Sequence, residues 1–246
     1  MISESTDDNF YITLSSNSST QTYTNNIPTH FRNILNHRIQ LNDPSWRVGL
    51  SEIHIPLTCQ NVLDGENIFW FDLKDGIKLK HRITSGYYAT VQQLLDELNK
   101  ITPWIEFTYS NTVKIKTIDN IQAIRFSPML ALQLGFEPSI NILKLGAIQK
   151  QPYLGIGYPQ QVFVYTDLIQ PQYVGDTKAP LLRIVAMTDT NHGKVQTITF
   201  QNVHYFPLSK LSFDTIEILL KDHAGRNLPF ASGTLTVTLH FTRLPQ

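Results

Sequence analysis

Thr234-Leu235-Thr236-Val237-Thr238-Leu239-His240-Phe241-Thr242 is the stretch whose reading decides the fold. Leu235, Val237, Leu239 and Phe241 alternate with four threonines, His240 and no charged residue. A period of two puts the apolar side chains on one face of a strand and the polar set on the other. Burying the four is worth roughly 6–12 kcal/mol, at about 1.5–3 kcal/mol each, as an upper bound. A slip of one residue would lose all of it, so the pattern itself sets the register.

Working outward from this strand, the same period marks others. Residues 10–14 read as a first strand, after a disordered tail at 1–9. Residues 15–26 are rich in Ser, Thr and Asn and read as an exposed loop. Residues 46–55 read as a long strand with a broken phase. Trp46, Val48 and Leu50 share one face, while Ile53 and Ile55 share the other. A β-bulge between Leu50 and Ile53 would return both sets to the core. Strands at 68–73 and 77–83 are joined across Asp75-Gly76, a hairpin-turn pair. Further strands are expected at 161–166, 181–187, 195–200 and 213–220.

Between these the period changes. Val91, Leu94, Leu95, Leu98 and Ile101 have helical spacing, and Thr90 with Gln93 forms a capping box, so a helix is expected over 90–101. Short strands are expected at 105–109, 113–117 and 121–125. A second helix is expected over 128–134, with Ser127 as N-cap, Pro128 in the first turn and Gly135 as terminator. Residues 146–161, with three glycines and two prolines, read as an irregular crossing. Many short strands, few helices and no long linker predict a mainly β protein, a jelly-roll β-sandwich with a small α+β insertion. The expected framework comprises 10–83 and 146–246, and the insertion 84–145.

Composition narrows the function. Charged residues are 16% of the chain, against about 25% in average domains. A surface short of charge suits either burial in an assembly or an ordinary polar β-protein. Lys+Arg and Asp+Glu are balanced at 20 each, without a basic run, which argues against direct tight binding of nucleic acid. Cys59 is the sole cysteine, so no intrachain disulfide forms. The acidic, polar start and the lack of a long apolar run lead to the expectation of no signal peptide and no membrane span, with synthesis in the cytoplasm or nucleus.

The residues offer little chemistry. The eight histidines have no metal-ligand spacing, and Cys59 has no Cys or His near it in sequence. Gly155-Ile156-Gly157 is followed by Tyr158-Pro159, which cannot open the helix that a dinucleotide site requires. Ser51, His54 and Asp64 resemble no nucleophile elbow. No catalytic residue, metal or cofactor is expected, although dispersed carboxylates leave a hydrolase open. The aromatic groups Phe69-Trp70-Phe71 and Tyr87-Tyr88 fit core or subunit contact, or alternatively the groove of a carbohydrate- or receptor-binding β-sandwich. The segment 170–180 is polar, with Asp176 and Lys178 as its only charges, and two prolines restrict it. Gln170, Pro171, Gln172, Tyr173 and Asp176 are therefore the candidate subunit-interface residues, with Tyr173 the kind of rigid amphipathic side chain that dominates interfaces.

Several stretches in fixed order also resemble a known family. They begin with Phe10-Tyr11-Ile12-Thr13-Leu14-Ser15-Ser16-Asn17-Ser18 and Trp46-Arg47-Val48-Gly49-Leu50-Ser51-Glu52-Ile53. Ser85-Gly86-Tyr87-Tyr88 precedes the first helix, and Leu134-Gly135-Phe136 follows the second. Next come Tyr165-Thr166-Asp167-Leu168-Ile169-Gln170-Pro171-Gln172-Tyr173-Val174-Gly175-Asp176 and Ala179-Pro180-Leu181-Leu182-Arg183-Ile184. Ile216-Glu217-Ile218, Ala224-Gly225-Arg226 and Pro229-Phe230 lead into the alternating strand. The order is similar to that of the minor capsid, or penton, proteins of Polinton/Maverick elements and the related adintoviruses. The resemblance implies a jelly roll, a homopentamer at the vertices of an icosahedral virion, and contact with a double-jelly-roll major capsid protein.

Overall fold

Period-two alternation builds most of the chain. The structure is a computed structural model that describes residues 3–4, 8–117, 120–137, 143–144, 159–188 and 191–243. The strands are β1 (Ser3–Glu4), β2 (Asn9–Ser15), β3 (His30–Gln40), β4 (Trp46–Pro56), β5 (Ile68–Leu73) and β6 (Lys78–Arg82). After helix α1 (Val91–Ile101) come β7 (Ile105–Ser110), β8 (Thr112–Thr117) and β9 (Ile121–Phe126). Helix α2 (Pro128–Gln133) precedes β10 (Leu143–Lys144), β11 (Gln161–Thr166), β12 (Gln172–Val174) and β13 (Thr177–Ala179). The chain continues through β14 (Leu181–Ala186), β15 (Val195–Thr199), β16 (Phe206–Pro207), β17 (Ser212–Lys221) and β18 (Thr236–Arg243). The chain divides into a framework, Met1–Thr58 with Pro159–Gln246, and a second unit, Cys59–Tyr158.

The framework is a jelly roll. One sheet has the order β15-β4-β18-β2, and the other the order β14-β11-β17-β3 with β1 beside β3. Among the eight main strands, β2, β3, β4, β11, β14, β15, β17 and β18, each lies in the opposite sheet from the one before it except β14, which neighbours β11; this is the double Greek key of a jelly roll. The inner faces supply Leu14, Val48, Leu50, Ile53, Ile55, Val237, Leu239 and Phe241 from the first sheet. Phe31, Val162, Val164, Val185, Ile216, Ile218 and Leu220 come from the second, all buried. Phe241 of β18 stacks on Phe213 of β17 across the core at 5.8 Å and on Phe10 of β2 at 4.7 Å.

The broken phase of β4 is resolved by a bulge. Thr238 faces Glu52 and Leu239 faces Leu50, so Ser51 is the extra residue. Its hydroxyl donates to the Thr238 carbonyl at 2.8 Å, and its own carbonyl accepts from Phe200 N at 2.8 Å. Val48, Leu50, Ile53 and Ile55 consequently all enter the core. Gly49, on the outer face, admits the chain at His204: a Cβ there would lie 2.4 Å from the His204 carbonyl oxygen.

Two expectations for the framework need correction. Residues 3–4 are not a loose tail but pair in parallel with Ile39 and Gln40, on the edge of β3 opposite β17. No strand was expected where the eleven residues of β3 lie. Asn33 occupies an inward position there and hides the alternation; its side chain bonds both Ser15 N and Ser15 O, at 2.9 and 3.0 Å.

The second unit has its own core. Sheet β10-β9-β5-β6 and the hairpin β7–β8 supply Phe69, Phe71, Phe107, Ile124 and Phe126, which cluster with Val91, Leu94, Leu95 and Leu98 of α1. The hairpin 68–83, expected in the framework, belongs here instead: β5 pairs with β9, and that pairing carries Phe69 and Phe71 into this core. Gly76 takes φ +87° in the hairpin turn. Thr90 caps α1 by accepting from Gln93 N, while the Gln93 side chain accepts from Ala89 N, one residue earlier than a standard capping box. At the end of α2, Gly135 with φ +83° and the bond from Phe136 N to Ala131 O form a Schellman stop. The crossing expected at 146–161 falls almost wholly outside the described residues.

Candidate assembly surface

The interface candidates lie in the connection from β11 to β14, beside the connections 41–45 and 200–211. Leu41 N bonds Leu211 O, Gln170 N bonds Pro207 O, and Ile169 bridges Leu208, which ties the three together. Asp167 fastens the base. Its Oδ1 accepts from Glu217 N at 2.9 Å, and its Oδ2 pairs with Lys210 Nζ at 2.6 Å. Nearby, Asp43 accepts from Ser45 N and pairs with Arg243; the Ser45 N–H first, then Arg243, bring its carboxyl down to about 2.

The segment 170–180 is a β-hairpin rather than an irregular loop. Gln172, Tyr173 and Val174 face Ala179, Lys178 and Thr177. Gly175, at φ +64°, is the first of the two linking residues, the position where a type II′ turn requires glycine. The five candidates divide by role. Gln170 holds the base through its backbone and through its side chain on Leu208 O. Pro171 stands next to it at the base, and the Gln172 amide folds back onto Leu181 O. Tyr173 and Asp176 project. Tyr173 is 76% exposed, the highest value for a large hydrophobic side chain among the described residues. Lys178 Nζ lies 5.0 Å from its ring, which orients the ring without burying it.

Sequence reasoning missed two other surfaces. On the outer face of β14-β11-β17-β3, Phe163 lies opposite Ile184, and Tyr165 opposite Leu219. Ile34 and Ile184 are exposed there. Beside them Glu217 pairs with His30 and Arg32. Burial alone raises the Glu217 carboxyl, but the hydrogen bonds from His30 and Arg32 outweigh it and hold it below its ordinary value. On the outer face of the other sheet, threonines predominate. His54 bonds Glu52 and the Thr197 hydroxyl, and Tyr11 stacks on His240 at 4.2 Å. The alternation of β18 marked that face as polar, but its neighbours on β15 and β2 are brought there only by strand order.

The remaining candidates are placed elsewhere. Phe69 and Phe71 are fully buried and line no groove, while Trp70 lies between Lys80 and Arg125. The Tyr88 hydroxyl donates to Thr84 O. Cys59 is buried, and burial pushes its thiol up to about 12. Among the described residues no three His, Cys, Asp or Glu side chains are grouped to hold a metal. No described helix is long and apolar enough to cross a membrane.

No family model matches the chain, and no curated protein matches it. Among solved structures it is similar to the crystal structure of the selenomethionine-labelled mavirus penton protein. The two share 11% sequence identity over 96% of this chain and 100% of that one, with a TM-score of 0.48. A likeness at that level leaves the family and function to be argued from the chain's own residues.

Proposed function

We propose that this chain is a structural minor capsid protein, a penton of the Polinton/Maverick and adintovirus type. In this reading it forms homopentamers at the vertices of an icosahedral double-stranded DNA virion. Its partners are itself and a double-jelly-roll major capsid protein. The observation that carries the reading is the eight-strand jelly roll spanning both ends of the chain, with the ordered motifs of that family distributed along it. A jelly roll alone serves lectins and cupins as well as capsids, so the surfaces must add to it.

They do so in three ways. The chain is poor in charge, which lowers the desolvation cost of permanent contacts. The hairpin β12–β13 holds Tyr173 away from the framework on a fastened base, so little conformational freedom remains to be lost when a neighbour covers it. The exposed Ile34 and Ile184 on one outer face suit a covered position better than a wet one. The second reading, a carbohydrate- or receptor-binding β-sandwich, loses Phe69 and Phe71 to the core and is left with the partly exposed Trp70, Tyr87 and Tyr88 as its motive.

Light scattering on the purified chain tests the proposal directly. A mass of five subunits is expected, and the protein should join particles when co-expressed with a double-jelly-roll capsid protein. Tyr173→Ala should weaken the oligomer at low micromolar concentration while leaving the circular dichroism of the subunit unchanged. A clean monomer that stays out of particles at all concentrations would sink the reading.

A further inference from the structure

The sheet β15-β4-β18-β2, in which β16 also pairs with β4, ends at β2 and at β15 in edges that no described strand covers. Proteins normally blunt edge strands with lysine, proline, a bulge or a covering segment. The other sheet does this: β1 lies along β3, and Arg183 of β14 reaches across to Asn202 O, with its guanidinium 4.3 Å from the Phe200 ring centroid. The edge strands β2 (Asn-Phe-Tyr-Ile-Thr-Leu-Ser) and β15 (Val-Gln-Thr-Ile-Thr) contain neither charge nor proline.

The two edges match in phase and length. Arg243 N bonds Asp8 O and Ser16 N bonds Leu235 O, so Phe10, Ile12 and Leu14 turn their backbone groups toward β18. Asn9, Tyr11, Thr13 and Ser15 turn theirs outward. Ser15 is already closed by the Asn33 side chain, which leaves residues 9–13 open. On the other side, Leu57 N bonds Lys194 O and Phe200 N bonds Ser51 O. Gln196 and Ile198 therefore face β4, and Val195, Thr197 and Thr199 are open. Among the described residues no hydrogen bond occupies these outward groups. Each edge thus offers five residues, of which three present both N–H and C=O. On both strands those three carry exposed side chains on the outer face.

Direction matches as well. β2 is antiparallel to β18, β18 to β4, and β4 to β15, so β2 and β15 run in opposite senses. If the sheet continues into a second copy, β2 meets the neighbour's β15 antiparallel. Tyr11 then faces Thr197, Asn9 faces Thr199 and Thr13 faces Val195, three hydrogen-bonded pairs with their side chains on one face. We infer that copies of this chain join head to tail through this β2–β15 pairing. The contact is heterologous, so it can repeat around a closed ring and leave no edge behind. The inference rests on the self-assembly reading above and specifies its joint. One strand pair buries less than the ~1,000 Å² of a stable interface, so it fixes direction and register while other surfaces add area.

Cysteine cross-linking tests the joint. Directly opposed residues in a hydrogen-bonded antiparallel pair lie about 5.5 Å apart at Cα, within disulfide range, and the native Cys59 is buried. Tyr11→Cys and Thr197→Cys proteins, mixed under mild oxidation, should give a covalent dimer at least ten-fold above either alone. The variant Tyr11→Cys/Thr197→Cys should give a ladder of covalent oligomers. Dimers from Tyr11→Cys alone would mean that two β2 edges meet, and would overturn the head-to-tail joint. An oligomeric mass with no cross-link in any combination would overturn the joint while leaving self-assembly standing. A monomeric mass for the unmodified chain would overturn both.

Discussion

Leu239→Ala tests whether β18 is the centre of the framework. Leu239 is fully buried and lies opposite Leu50 on one side and Ile12 on the other. Both neighbours are held by ladders, so the site cannot collapse easily, and a residual cavity is expected. Leu-to-Ala changes in such places cost about 2–5 kcal/mol, a large share of the ~5–15 kcal/mol that holds a domain together. The control is the next residue. Thr238→Ala loses a hydroxyl on the outer face whose one hydrogen bond among the described residues is with Thr13 Oγ1 at 3.2 Å, and should stay within about 0.5 kcal/mol. Urea unfolding followed by tryptophan fluorescence measures both, provided the two units are read separately. Trp46 is buried in the framework, whereas Trp70 and Trp104 belong to the second unit. Replacing Trp70 and Trp104 by Phe leaves Trp46 as the reporter. If Leu239→Ala and Thr238→Ala move its transition equally, the assignment of inner and outer faces is wrong.

Three further outcomes are expected. Deleting Ser51 removes the bulge but keeps the phase: Glu52 stays opposite Thr238, Leu50 stays opposite Leu239, and Val48, Leu50, Ile53 and Ile55 all remain on the inner face, so the framework should still fold. Ser51→Ala keeps the bulge, loses one hydrogen bond worth about 0.5–1.5 kcal/mol, and should fold as well; circular dichroism and soluble yield check both, and a deletion variant that fails to fold would refute the reading of Ser51 as the extra residue. Glu217 sits below its ordinary value of 4.5 in the fold, so it binds fewer protons folded than unfolded. Its contribution is present above about pH 4.5 and lost as pH falls through the folded value; the stability gap between the native chain and Glu217→Gln should shrink from pH 6 to pH 3, and a gap that widens would refute the pairing. Cys59, buried with its thiol raised to about 12, should resist a thiol reagent at pH 8 until urea unfolds the chain; full labelling of the native protein would contradict its placement.

The elements legible from sequence are those whose signals are local. The alternation of β18, the Asp75-Gly76 turn, the Thr90 cap and the Gly135 stop each act within a few residues, and each forms where the pattern places it. The bulge of β4 is also local, because the reversal of phase between Leu50 and Ile53 requires an extra residue there. β3 was hidden because its inward position 33 holds asparagine. Only the tertiary structure brings Ser15 beside it, and a buried amide is acceptable only when such partners exist. The hairpin β12–β13 escaped because three-residue strands carry too few side chains to display a period.

The assignment of elements to cores was likewise out of reach of the sequence. Nothing in Ile68–Leu73 states whether Phe69 and Phe71 pack on β4 or on β9; the pairing with β9 decides it. The open edges at β2 and β15 follow from strand order, a property of the folded sheet rather than of either segment. By itself the sequence determined that this is a β-framework of alternating strands, short of charge, interrupted by helical spacing. Tertiary structure alone decided which strands are neighbours, which core each aromatic enters and which edge backbone groups have no hydrogen bond among the described residues. The physical reason is that periodicity orients a side chain relative to its own strand, whereas adjacency depends on pairing between residues as far apart as Tyr11 and His240.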